Sequence, residues 1–268
     1  MNIKNFEYLK DSLKNLGFGD KLNAHLEEQL KMQPESFKLN LLGEFKNDVL
    51  KENVNYVLDF SKSKESDMYF FNRYLATLQS EDASKEKSQT FYIDKMTGIT
   101  SKEAYNLLSG RAVNKDLTTK DGVAYNAWLQ LNFTEKDKHE NHLVKQFSQG
   151  YGYDLEMVMT KYPIKEQLAE ESRAEVMKSL RKGNLTQVTF AKQGADEKMY
   201  IAANPQFKSL DVYDAKMKLQ YQGIERKEKT EKAGEDKSQE KKEAAKQAKD
   251  DEGDGNKQKQ SKRKGIRV

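Results

Sequence analysis

The chain has no cysteine, which excludes disulfides and thiolate metal sites. It has one tryptophan, three histidines and three prolines in 268 residues. No apolar run approaches the ~20 residues that span a bilayer, and the first residues lack the apolar core of a signal peptide. Together these absences set the expectation of a reducing, cytoplasmic setting without a membrane partner. Phosphate-cradling loops are missing as well. Gly17-Phe18-Gly19 and Gly150-Tyr151-Gly152 have neither a third glycine nor a Gly-Lys-Ser/Thr ending, so they read as turns. No serine or threonine sits in a nucleophile elbow. Glu170 and Glu171 are adjacent on a helical stretch, so they do not face each other and suit solvent better than a shared acid–base site. His139 and His142 lie three apart in a polar hairpin tip, and His25 is the sole other imidazole. Two histidines without further rigid ligands do not make a metal site. The expectation is a non-enzymatic protein with no cofactor and no metal.

Hydrophobic residues make up only 36% of the chain, but the deficit is concentrated at one end. Residues 222–268 contain no aromatic residue and few aliphatic ones. The charge is uneven too. Of the 47 basic and 43 acidic residues, 15 and 11 fall from Gln222 onward, leaving 32 of each sign before it. The whole surplus of +4 therefore belongs to the tail. A body without net charge argues against a fold built around a nucleic-acid groove.

The most legible stretch runs from Thr100 to Phe133. Thr100 and Glu103 have capping-box spacing. Ala104, Leu107 and Leu108 form one apolar helical stripe, and Gly110 can close the helix by adopting the left-handed backbone. Asp121-Gly122 signals a turn. Then Tyr125, Ala127, Leu129, Leu131 and Phe133 alternate with Asn126, Trp128, Gln130 and Asn132, a half-buried strand. The unit reads as helix, loop, strand.

In chain order, Phe6, Leu9, Leu13 and Leu16 predict a first helix, broken at Gly17. Asp20 is positioned to cap a second helix that buries Leu22, Leu26 and Leu30 and ends at Pro34. From Phe37 the period is two. Val54, Tyr56, Leu58 and Phe60 form one strand of a β-hairpin, and Met68–Leu78 forms the other. The second strand is apolar on both faces, with Phe70, Tyr74 and Leu78 on one and Tyr69, Phe71 and Leu75 on the other, so either helices cover the second face or it is a binding surface. Gln79–Gln89 reads as a linker before a short strand at Phe91-Tyr92-Ile93. Leu143–Phe147 pairs back on the strand before it. Asp154 caps a helix through Tyr162, and Pro163 opens a turn. Leu168, Val176 and Leu180 mark another helix, closed at Gly183. Strands follow near Val188–Ala191, Lys198–Ala203 and, after a turn at Asn204-Pro205, Phe207–Tyr213. Asn40–Gly43 echoes Asn106–Gly110, and Tyr74–Gln79 echoes Tyr125–Gln130, at unequal spacing. The fold class is α+β: short antiparallel sheets, mostly hairpins, packed with short helices and ending in a disordered charged tail. The divisions are 1–95, a helical N-terminus with a hairpin module; 96–221, an α+β domain; and 222–268, the tail, too poor in apolar residues to offset its backbone entropy.

Two groups of residues are candidates for nucleic-acid contact. Tyr69, Phe71 and Arg73 share a strand face, and Trp128 lies on an otherwise polar one. Aromatics on an open sheet can stack on bases, each contributing ~1–3 kcal/mol. The competing reading packs these rings under the helices, which need a surface to cover. The second group is Lys257, Lys259, Lys262, Arg263, Lys264 and Arg267, six cations without an acid among them. Such a run suits a polyanion, against the plainer reading of a solubility tail.

Phe91-Tyr92-Ile93-Asp94 leading into Ile99–Val113, Tyr125–Phe133, Ala203–Lys208 and Val212-Tyr213-Asp214 resemble an uncharacterised domain family. That family occurs in proteins of conjugative transposons and related mobile elements of gut anaerobic bacteria, and appended to some type IA DNA topoisomerases. Val54–Gln79 resembles a module that precedes it, and Ser261–Gly265 a basic ending found there. The resemblance implies an accessory protein of a mobile element, without the topoisomerase tyrosine motif or a relaxase histidine cluster. Its implied partners are DNA, bound non-specifically through the tail, and a topoisomerase or other mobile-element protein. The alternative is a protein-interaction or regulatory module without nucleic-acid binding.

Overall fold

A computed structural model describes residues 1–46, 49–94, 98–192 and 194–220. The tail expected at 222–268 lies outside the described residues, as do its six cations. The described residues form an α+β fold of short helices and three small antiparallel sheets.

The first layer is helical. Helix α1 (Ile3–Asn15) is capped by the Asn2 side chain, which accepts from the Asn5 amide at 3.1 Å. It ends at Gly17, whose φ of +82° is open to glycine at little cost. That turn sends Phe18 into the core, edge-on to Tyr56, Phe71 and Tyr74 at 5.1–5.9 Å. The Gly-Phe-Gly motif thus serves packing. Helix α2 (Asn23–Met32) buries Leu26 and Leu30, with Leu22 buried just before it. Asp20 does not cap it as expected: no side chain caps this helix, and Asp20 accepts from the Asn23 side chain instead.

The first sheet has the order β1 (Ser36–Lys46), β2 (Lys51–Lys62), β3 (Tyr69–Leu78), β4 (Lys87–Tyr92). Val54, Tyr56, Leu58 and Phe60 of β2 all turn inward, as alternation requires. Strand β3 departs from simple alternation. Asp59 pairs with Arg73 but Phe60 pairs with Phe71, which leaves Asn72 as a β-bulge. The bulge resets the period, so Tyr69 and Phe71 join Tyr74, Ala76 and Leu78 on the buried face. Phe70, Arg73 and Leu75 are left outside. Buried Asn5 locks the start of β3 to α1 by accepting from the Tyr69 amide at 2.7 Å and donating to its carbonyl at 2.9 Å.

Helix α3 (Ser101–Leu108) has the expected capping box. It lies against both the first sheet and the second, whose order is β5 (Val113–Thr118), β6 (Ala124–Lys136), β7 (His142–Ser148). The stretch expected as a loop after α3 therefore contains a strand. β5 is polar at four of its six positions, so neither hydrophobic period marks it. The tip of the β6–β7 hairpin closes onto β4. Asn141 accepts from the Thr90 amide at 2.9 Å, and the Gln89 side chain accepts from the His142 amide at 2.8 Å.

The second sheet is covered on both faces. Val113, Leu129 and Leu131 belong to a core shared with α1–α3 and the first sheet. Trp128 and Phe147 belong to a second core with α4 (Leu155–Met159), α5 (Glu170–Arg181) and the third sheet, of order β10 (Ser209–Tyr213), β9 (Glu197–Asn204), β8 (Thr186–Phe190). Asp154 caps α4, but that helix stops at Met159 rather than Tyr162. Leu168 is exposed and precedes α5, so it is not part of that helix's stripe. Asn106 joins α3 to the end of α5. It is fully buried, donates to the Lys182 carbonyl at 2.7 Å and to Asn184 at 2.9 Å, and accepts from Arg111 at 2.8 Å. Gly183 is required beside it: its φ is +75°, and a Cβ would lie 2.7 Å from the Ala112 carbonyl. The echo between Asn40–Gly43 and Asn106–Gly110 does not extend to structure, because the first lies on a strand and the second ends a helix.

Deleting Asn72 should turn Tyr69 and Phe71 to the outer face. The expected loss is about 3–6 kcal/mol from two unburied aromatics, with increased binding of a hydrophobic dye. Asn72→Ala keeps the chain length and should leave the unfolding midpoint nearly unchanged. Equal midpoints for the deletion and the parent would show that the bulge does not set the face.

Candidate interaction surface

The structure separates the aromatic candidates from one another. Tyr69 and Phe71 are 2% and 6% exposed and Trp128 is 6% exposed, so none offers a ring face to a base. The expectation that Tyr69, Phe71 and Arg73 share a face is corrected by the bulge. Trp128 lies against Tyr153 at 5.4 Å in the second core, although its face also carries Asn126, Gln130 and Asn132. Arg73 alone stays outside, where its Nε donates to Asp59 at 2.8 Å. Lys257, Lys259, Lys262, Arg263, Lys264 and Arg267 lie outside the described residues.

What the bulge leaves outside is the second face expected for this strand, but carrying Phe70, Arg73 and Leu75 rather than either set that strict alternation gives. Helices α1, α2 and α3 all pack on the inner face of the first sheet. Its outer face carries no helix among the described residues. The register sets three rows across it: Lys38, Asp59, Arg73 and Tyr92; Asn40, Val57, Leu75 and Thr90; Leu42, Asn55, Thr77 and Ser88. Leu42, Val57, Leu75 and Tyr92 form an apolar diagonal. Leu42 is 48%, Leu75 39% and Tyr92 61% exposed, with Phe70 at 43% on the next row. The charged row borders the diagonal, with Asp59 held between Arg73 and Lys38. The available signal was the two-sided apolarity of Met68–Leu78. Which side is buried depends on one unpaired residue, and no local pattern gives that.

A second cluster lies at the other end of β1. The rings of Phe45 and Tyr105 stack at 4.1 Å, with the Lys102 ammonium 4.7 and 4.6 Å from their centroids. Arg111 lies 4.9 Å over Tyr105, whose hydroxyl donates to Glu52 at 2.7 Å. Desolvation by the surrounding rings, aided by Arg111 and opposed by Glu52, pushes the Lys102 amine down to about 8. In sequence these groups lie 3 to 66 residues apart, with nothing to join Phe45 and Glu52 to the other three.

The histidines do not converge. His139 is exposed at the hairpin turn and His25 is exposed on α2. His142 is buried against Phe133, ring centroids 4.9 Å apart. Among the described residues no group of three His, Cys, Asp or Glu side chains is placed to hold a metal ion. No described helix is long and apolar enough to cross a membrane. No family model matches the chain, and no curated protein or solved structure matches it either.

His142 supplies a pH test. Burial first, then the nearby Lys136 and Lys87 charges, lowers its affinity for a proton relative to the unfolded chain. The unfolded state therefore binds the proton more readily, and stability falls as pH drops through the unfolded value near 6.5 and below. Denaturant unfolding from pH 7.5 to 5 should show this loss, and His142→Gln should reduce it. Identical pH profiles for the two proteins would show that His142 does not contribute.

Proposed function

We propose that this is a cytoplasmic, non-enzymatic binding protein, the accessory partner of a larger machine on a mobile genetic element. Its folded body engages a partner protein through the outer face of the first sheet, and its terminal cations hold it weakly to DNA. The observation that carries the reading is the open face. Exposed apolar patches bordered by charge are how soluble proteins commonly offer a binding surface, whereas single exposed apolar residues carry no such meaning. The charged row contributes register and partner choice more than affinity. The resemblance of Phe91–Val113 and Tyr125–Phe133 to the mobile-element domain family supports a partner that itself acts on DNA. The six cations of Lys257–Val268 support the second contact.

Two measurements test the two contacts separately. Full engagement of six cations on duplex DNA gives a log–log salt slope near about −5. Deleting 257–268 should flatten that slope and leave the fold intact; an unchanged slope would remove the DNA half and favour a protein-interaction module alone. For the other half, tagged protein should retain one partner from its native host after nuclease treatment. The exposed-face double variant Phe70→Asp, Leu75→Asp should lose that partner while keeping its unfolding midpoint. Retention of the partner by the variant would contradict the open-face reading.

A further inference from the structure

Strand β1 is outermost in the first sheet, and its only strand partner is β2. Among the described residues, no main-chain hydrogen bond of Phe37–Phe45 goes anywhere but to β2. This leaves about 30 Å of strand with one side unpaired. Lys38, Asn40, Leu42 and Glu44 are exposed on the outer face, and Phe37 and Leu39 are buried on the inner one. From Leu41 onward the inner face loosens: Leu41, Gly43 and Phe45 are only half-buried. A groove of about 480 Å³ opens there, between Leu41–Phe45 and the turn Gly17–Lys21. Successive side chains of a strand point to opposite faces, so lining by all five residues places the groove along the edge.

Charges on an edge strand usually keep other strands away. Here the two on Phe37–Phe45 have opposite sign and sit symmetrically, Lys38 three residues before Leu41 and Glu44 three after it. Arg73, Asp59 and Lys38 form a row of alternating sign across the sheet, joined at 2.8 and 3.5 Å, and the row stops at the edge on Lys38. Glu44 is exposed and has no ion pair among the described residues. In an antiparallel pair, a residue with outward main-chain groups must face another of the same kind. Two copies of β1 therefore pair about a two-fold axis through a residue, not between residues. An axis at Leu41 sets Lys38 opposite Glu44 of the second copy at both ends. It also sets Phe37 opposite Phe45, Leu39 opposite Gly43 and Asn40 opposite Leu42. An axis at Leu42 instead sets Lys38 against Lys46, and one at Asn40 sets Lys38 against Leu42 and Glu44 against Ser36. The axis at Leu41 is the one of the three that matches charge with charge.

We infer that β1 is a self-recognition strand: two copies of the chain pair their β1 edges antiparallel about Leu41, joining two four-stranded sheets into one of eight strands. Main-chain pairing supplies the affinity in such strand addition. The paired charges fix the register, and the row Arg73, Asp59, Lys38 continues onto Glu44 of the second copy without a break in sign. The two Leu42 side chains lie diagonally across the axis, so the apolar diagonals of both copies become neighbours on one outer face. That face stays open in the dimer. The inference stands whether or not the face has a partner of its own.

Sedimentation equilibrium of the full chain over a wide range of concentration should show a monomer–dimer equilibrium. Amide exchange within Phe37–Phe45 should slow as the dimer fills. Glu44→Lys puts like charges together at both ends of the interface and should weaken the dimer about tenfold. Lys38→Glu should do the same. Both positions are exposed, so each variant should stay folded. An equimolar mixture of the two variants should dimerise as well as the parent, because every charged pair in the mixed dimer is again lysine with glutamate. Phe70→Asp, on the outer face away from the edge, should leave the dimer unchanged. The inference is overturned if the chain stays monomeric, or if Glu44→Lys dimerises as tightly as the parent. It is also overturned if the mixture dimerises no better than its components, or if the slowed amides lie outside β1.

Discussion

The first turn of α3 is where the layers of the molecule meet. Its Ser101 amide and hydroxyl donate to the carbonyls of Leu16 and Gly17 at the end of α1, both at 2.8 Å. Tyr56 and Tyr74, from the middle of the first sheet, donate to the carbonyls of Ser101 and Ile99 at 2.6 Å. Glu103 closes the capping box and reaches Lys115 on the second sheet. At the far end, Asn106 and Arg111 grip the loop after α5. A helix of eight residues is not stable alone, so its order comes from these contacts. In return, buried polar groups left unmatched would each cost about 1–3 kcal/mol. The two cores therefore depend on one short helix with its hydrogen bonds satisfied.

How far the sequence discloses this follows from distance along the chain. The capping box is legible because Thr100 and Glu103 are three residues apart and the chemistry is local. The inward set Val54, Tyr56, Leu58 and Phe60 is legible because alternation needs no partner to be read. Asn72 is not, since a bulge is defined by the register of a neighbouring strand. Strand β5 is hidden for a related reason: Asn114, Lys115, Asp116 and Thr118 adopt strand geometry because β6 lies beside them, not because of their own preferences. Asp20 is the opposite case, a residue of the right type for a cap that the chain passes by one turn too early. Asn106 is the least readable of all. In sequence it is a polar position on the side opposite the apolar stripe of Ala104, Leu107 and Leu108, and its carbonyl and amide partners beyond α5 lie 76 and 78 residues away.

The same constraint organises what is left open. Committing α1, α2 and α3 to one side of the first sheet leaves its other side without a helix among the described residues. The bulge then loads that side with Phe70 and Leu75 while hiding Tyr69 and Phe71. That surface follows from how the core is closed. The exposed positions of that face are thus fixed by packing far from any motif.

Native-state hydrogen exchange under increasing denaturant tests the central dependence most directly. Amides in β2, α3 and β9 sample the first core, the joining helix and the second core. If α3 holds both cores together, all three sets should merge onto one opening free energy, that of global unfolding. Opening of β9 at a clearly lower free energy than β2, with α3 still protected, would contradict the account.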